Sequence, residues 1–237
     1  MASERSYKSR LIMLGSLINL ILRFPESAFK DKIRSHFYGN VVSERIVEYT
    51  LVIANINLEP STKVKILDIG CYFSNLPLQL ASMGYSVTAI DLLDYQLTHP
   101  NFTFIKGDVT KYKFKRGFFD VITCVSTLEH IGLGYYEGDQ KDLSLDFTTV
   151  DVVNDILKRG GRFLLTIPFG KKSTNSVQRI YDWDSVKSLL KNFNIEKALF
   201  YKEKRGKWIK TTLADAAKIE SKERTRAMAF IMAKKLS

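Results

Sequence analysis

The chain has 237 residues, 45% of them apolar and 26% charged, with a formal net charge of +11. That length holds one well-buried α/β domain with an appendage rather than two full-sized domains, and the composition excludes a disordered chain. The basic excess serves solubility and draws acidic partners such as nucleic acid, anionic lipid or phosphorylated sugars, while two cysteines, Cys71 and Cys124, argue for a reducing, cytoplasmic setting and against a disulfide scaffold.

Leu11 to Leu22 is an apolar run between Arg10 and Arg23, too short to span a bilayer. Basic residues before it mimic a signal peptide, but no small-residue cleavage pattern follows before Phe24-Pro25, so secretion is not expected. Two readings stay open for residues 11–22: a helix docked on the catalytic domain, and an in-plane helix making peripheral membrane contact. Ser43 reads as a helix cap, with Ile46, Val47, Thr50, Leu51 and Ala54 at helical spacing through Ile56. Asn57 to Thr62, with Pro60, ends that helix. Residues 1–56 are thus expected to form a helical N-terminal extension that caps the catalytic domain, 57–237.

From there strand-like and helix-like segments alternate. Strands are expected at Val64–Ile69, Ser86–Asp91, Phe102–Lys106, Phe119–Val125 and Arg162–Pro168, with helices at Leu76–Met83 and Thr148–Leu157. Asp182 opens a helix over Trp183–Lys191. Ile195–Glu203 and Arg226–Lys234 read as closing strands, with a capping box at Thr212-Leu213-Ala214-Asp215 between them. The fold class is α/β: a Rossmann-like, doubly wound, mostly parallel sheet with a C-terminal antiparallel strand pair and an N-terminal helical extension.

Ligands of such sheets bind beyond the carboxyl ends of the strands. Asp68-Ile69-Gly70-Cys71 ends the first strand in a glycine turn, where the backbone approaches a ligand closely and the next helix aims free N–H groups at it. Asp91, at the tip of the neighbouring strand, is placed to hold a ribose diol, its alternative being a helix cap. The pattern reads as an adenosine-cofactor site.

Val64 to Asp91 resembles motif I and its sequel in class I S-adenosylmethionine (SAM) dependent methyltransferases, of the kind associated with glycan and cell-envelope assembly. His99-Pro100-Asn101-Phe102 leading to Gly107-Asp108, Phe119-Asp120-Val121-Ile122 leading to Glu129-His130, Leu157 to Arg162, and Gln178-Arg179-Ile180-Tyr181 continue the resemblance. It implies SAM as cofactor, bound by Asp68, Gly70, Cys71, Tyr72, Ser74, Asp91, Leu92, Asp108, Val109 and Ser126. Asp108 corresponds to the segment that contacts adenine, with a plain Gly-Asp turn as its other reading. The family's usual Asp-x-Gly-x-Gly-x-Gly is broken here by Tyr72 and Ser74.

After the fourth strand, Ser126 to His130 overhangs the reacting methyl. His130 is the candidate general base, with Glu129 beside it, or else it orients the loop. Gly132 to Asp142 reads as a mobile lid, with Tyr135 and Tyr136 lining the acceptor pocket. Arg179 and Tyr181 form the opposite wall, Arg179 pairing with an anionic acceptor or making a structural ion pair. No metal is expected, since Glu129, Asp139 and Asp142 are too loosely spaced. The expected reaction is methyl transfer, at oxygen, to a small-molecule, saccharide or lipid-linked acceptor. RNA methylation, suggested by the charge, and a non-catalytic binding module, suggested by Tyr72, are the alternatives. Gly70 to Asn75 fails the dinucleotide pattern Gly-x-Gly-x-x-Gly.

Overall fold

The structure is a computed structural model and describes residues 43–221 and 225–236. The Leu11–Leu22 run and the extension before Ser43 lie outside the described residues. Residues 43–237 form one compact unit, so helix α1 (Arg45–Asn55), read from sequence as the end of the extension, belongs to the sheet domain.

Five strands form the parallel half: β1 (Lys65–Ile69), β2 (Ser86–Asp91), β3 (Phe102–Lys106), β4 (Phe119–Val125) and β5 (Leu157–Pro168). Helix α2 (Leu76–Ser82) links β1 to β2, and α3 (Leu145–Ile156) links β4 to β5. After a two-residue pair, β6 (Ser173–Thr174) with β7 (Arg179–Ile180), comes α4 (Trp183–Leu189). Asp182 caps α4 by accepting the Ser185 N–H, as the sequence suggests. Strands β8 (Phe193–Lys204) and β9 (Lys207–Thr211), short helix α5 (Leu213–Ala216) and β10 (Ala227–Lys235) complete the domain.

The eight-stranded sheet runs β3-β2-β1-β4-β5-β10-β8-β9. β10 inserts antiparallel between β5 and β8, giving the expected closing pair, and β9 adds a further antiparallel strand beyond it. Sequence reading passed over β9 because Lys207, Lys210 and Thr211 interrupt its apolar residues. Each face of the sheet has its own core. Val52 and Ile56 of α1 and Leu76 and Leu80 of α2 cover one face; Val150, Val153, Val186 and Leu189 of α3 and α4 cover the other. Their apolar stripes recur at helical spacing, which is what docks them on a flat sheet. Among the described residues no helix is long and apolar enough to cross a membrane.

Candidate active site

The carboxyl ends of β1, β2 and β4 open into a cleft with about 860 Å³ of empty space, counting solvent at its mouth. It is lined by Gly70, Tyr72, Asp91, Leu92, Asp108, Val109, Ser126, His130 and Tyr136 among the residues singled out from sequence, and also by Arg45, Phe73, Leu93, Thr127 and Asp139.

Gly70 sits at φ +84, a left-handed conformation suited to glycine, and a Cβ there would collide with the Thr127 side chain. The β1 turn and the loop after β4 therefore touch through this glycine. Asp91 accepts the backbone N–H of Tyr72 on Oδ2 and that of Leu93 on Oδ1, each at 2.9 Å. Each oxygen keeps a lone pair, so the carboxylate still has acceptor capacity for two hydroxyls. Burial raises its pKa against the backbone hydrogen bonds that lower it. The carboxylate acceptors and the glycine turn both fit the nucleoside half of SAM.

Asp108 is differently engaged. Its Oδ1 accepts the Thr110 N–H and hydroxyl at 2.8 and 2.6 Å, and Oδ2 pairs with Lys111 at 3.2 Å. Burial raises its pKa, but the Thr110 and Lys111 contacts outweigh that and leave it lowered.

Asp68, Cys71 and Ser74 lie outside the cleft lining. Asp68 is buried beneath the turn, accepts the Thr123 hydroxyl at 2.5 Å, and burial pushes its pKa up to about 7. The Cys71 thiol is buried, which raises its pKa above the usual range. Ser74 accepts the Tyr49 hydroxyl on Oγ at 2.8 Å, and its carbonyl accepts the Tyr95 hydroxyl at 2.8 Å. These residues shape the turn from below.

His130 lines the cleft with its Nδ1 at 2.5 Å from the Val177 carbonyl. A carbonyl only accepts, so Nδ1 carries the hydrogen and Nε2 keeps the lone pair. Burial lowers the His130 pKa, and the ring is neutral at pH 7. Glu129 lies behind it, 2% exposed, with Oε1 at 3.8 Å from Nε2. Burial pushes the Glu129 carboxyl up to about 8, and Oε2 has no hydrogen-bond partner.

Tyr136 packs edge-on to His130, and the exposed Tyr135 packs on Tyr136. The Gly132–Asp142 segment, read as a lid, is bonded to itself: Asp139 accepts the N–H groups of Gly132 and Gly134, and the Asp142 N–H donates to the Gly132 carbonyl. Arg179 and Tyr181 line a separate depression with Lys172 and Asp182. Arg179 donates to the carbonyls of Ile131 and Leu143 and pairs with Asp146, which also accepts the Tyr181 hydroxyl. That arrangement ties the loop after β4 to β7. Among the described residues no three His, Cys, Asp or Glu side chains gather to hold a metal ion.

The sequence predicts helix α1 but not its part in the site. Arg45 donates to the Val125 carbonyl at 2.9 Å, Glu48 accepts the Ser126 hydroxyl at 2.5 Å, and Tyr49 reaches Ser74. The available signal was Glu48 itself, a charge in line with Val52 and Asn55 on the buried side of the helix.

Residues 67–165 match the family described as "Methyltransferase domain". Among curated proteins, the chain is 30% identical over 80 residues to ubiquinone biosynthesis O-methyltransferase of Rickettsia akari, covering 30% of this chain and 32% of that one. It is 28% identical over 112 residues to ribosomal RNA large subunit methyltransferase E of Brachyspira hyodysenteriae, covering 45% and 58%. The chain thus spans between about a third and just under three-fifths of these relatives. Among solved structures, the fold is similar to 1,6-didemethyltoxoflavin-N1-methyltransferase of Burkholderia thailandensis, with bound 1,6-didemethyltoxoflavin and S-adenosylhomocysteine. The TM-score is 0.56 at 16% identity, covering 90% of this chain and 93% of that one. Family match, strand order and cleft agree: residues 67–165 are similar to a methyltransferase domain, and the fold is that of SAM-dependent methyltransferases.

Proposed function

We propose that the protein transfers the methyl group of SAM to an oxygen of a small-molecule, saccharide or lipid-linked acceptor, with His130 as general base. The observation that carries this reading is the bond from His130 Nδ1 to the Val177 carbonyl, which leaves Nε2 as the ring nitrogen able to take a proton. The lowered pKa keeps that nitrogen unprotonated at neutral pH. Glu129 is largely neutral at pH 7 and adds little charge that would hold an imidazolium in the resting site.

SAM, when bound, supplies a methyl group already activated on a sulfonium. Asp91 holds its ribose, and the turn around Gly70 approaches it through backbone. Arg45, the one Lys or Arg among the described cleft residues, supplies a cation for the carboxylate of its amino-acid end. Tyr136 and His130 face the acceptor side. Likeness to an O-methyltransferase of ubiquinone biosynthesis supports an oxygen acceptor. RNA is the second reading, supported by the net charge of +11 and by likeness to a ribosomal RNA methyltransferase.

Labelled SAM incubated with the protein and a cell extract, then separated into low-mass, lipid and RNA pools, tests the acceptor class. Label is expected in the low-mass or lipid pool. Label confined to RNA overturns that class, and SAM binding with no label in any pool favours a non-catalytic module. On the labelled pool, His130→Ala is expected to lower turnover by about two to four orders of magnitude with unchanged cofactor affinity. The loss should shrink as pH rises and the acceptor hydroxyl ionises unaided; undiminished turnover removes His130 from catalysis.

A further inference from the structure

Ser126 is one of three non-glycine residues with positive φ among those described, at +43. Serine is strained there, because its Cβ crowds the backbone, and such strain persists only where surroundings enforce it. Three contacts do so. The Ser126 N–H donates to both Oγ1 and the carbonyl oxygen of Thr166 at 3.1 Å, and its hydroxyl donates to Glu48 Oε1 at 2.5 Å. The preceding carbonyl, Val125, accepts Arg45 Nη1 at 2.9 Å and Thr127 Oγ1 at 3.0 Å.

We propose that Glu48 is a positioning residue for the cofactor cleft: from α1 its carboxyl holds Ser126 in the left-handed conformation that sets the Ser126–His130 turn against Gly70. The proposal rests on the reading of this cleft as the SAM site. Ser126 is the pivot of that turn. Beyond it, Thr127 fills the space that a Cβ at Gly70 would need, and its carbonyl accepts the His130 N–H at 3.0 Å. A change of backbone region at Ser126 therefore displaces two cleft-lining residues, Thr127 and His130.

Helix docking does not account for an acid at this position. Glu48 is fully buried, its Oε2 has no hydrogen-bond partner, and the Arg45 Nε stands 3.9 Å away. A buried carboxyl with an unmet oxygen disfavours the folded state relative to an apolar side chain of similar volume. Val52 and Ile56 already seat the helix on the sheet. What an apolar residue cannot supply is a polar partner for the hydroxyls of Ser126 and of Thr166, the residue that also accepts the Ser126 N–H. Burial raises the Glu48 pKa, against the Arg45 charge and the Ser126 and Thr166 hydroxyls that lower it.

Calorimetric titration of the full chain with S-adenosylhomocysteine tests this, with melting temperatures recorded in parallel. Glu48→Ala is expected to weaken binding by about tenfold, from the conformational freedom returned to the strained turn. Glu48→Gln keeps an acceptor oxygen and should stay within about threefold of wild type. The decisive variant is Glu48→Ala with Ser126→Gly: glycine takes positive φ without a tether, so affinity should return to within about threefold of wild type. A double variant no tighter than Glu48→Ala would mean that Glu48 only docks α1, and wild-type affinity in Glu48→Ala would overturn the proposal. Should Glu48→Ala not fold, Ser126→Ala removes the same tether and leaves α1 intact; it must lose about tenfold, and wild-type affinity there overturns the proposal equally. Absence of binding by the wild type overturns the SAM reading and this inference together, whereas wild-type binding with unaffected variants overturns the role of Glu48 alone.

Discussion

The two halves of the sheet bury different chemistry. In the antiparallel half, Ala227 to Ala233 of β10 are seven consecutive buried residues, all apolar. The parallel half buries Asp68 on β1, Thr123 on β4 and Thr166 on β5, with Glu48 and Glu129 packed around the strand ends. Burying an ionisable group without full pairing is unfavourable. Here that cost falls where the parallel strand ends converge on the cleft, while the central strand of the antiparallel half buries apolar side chains.

The largest expected effect tests the scaffold. Phe230 is fully buried in the core beneath α1, and Phe230→Ala should lower the unfolding free energy by about 3–5 kcal/mol. Chemical denaturation would measure it, and the folded fraction should keep its affinity for S-adenosylhomocysteine. A matching loss of affinity would show that the halves are coupled and break the division.

Asp91→Ala should do the reverse, weakening S-adenosylhomocysteine by about a hundredfold through loss of two charge-assisted hydrogen bonds while stability changes far less. Isothermal titration beside a thermal melt separates the two, and near-wild-type affinity would remove Asp91 from the site.

A pH-dependent effect concerns Glu129, whose carboxyl burial raises from 4.5 to about 8 in the folded chain. A raised folded pKa gives stability that is full below the unfolded value and lost as pH rises through the folded one. The wild-type melting temperature should therefore fall between about pH 5 and pH 9. Glu129→Gln cannot ionise, so it should melt a few degrees above wild type near pH 9 and close to it near pH 5. Residual pH dependence in the variant is expected from Asp68, whose carboxyl burial pushes up to about 7. Parallel curves for variant and wild type would sink the assignment.

Strands β2, β3 and β4 are legible in the sequence to the residue, because each is a short β-branched or aromatic run bounded by turn residues. β5 begins earlier than Arg162, at Leu157, since Gly160-Gly161 reads as a break where the structure has an irregular register with β4. In the site, residues next to the glycine turn and at the tip of β2 follow from strand-end logic. Arg45 and Glu48 do not, because they arrive from a helix that precedes the motif and act on Val125 and Ser126, 80 and 78 residues further on. Arg179 and Tyr181 are near the site in sequence order, yet Asp146 draws them to the far side of the loop.

One end of the sheet bears on the molecule's behaviour at high concentration. Among the described strands β9 has a single neighbour, β8, so no described strand pairs with the backbone groups of its outer edge. Such edges template aggregation unless something opposes a second strand. Exposed Lys207 and Lys210 bracket Trp208 and the exposed Ile209, so two copies meeting edge to edge bring ammonium groups together before their hydrogen bonds can form. Part of the basic excess thus guards the protein against fibrous self-association, independently of any acidic partner.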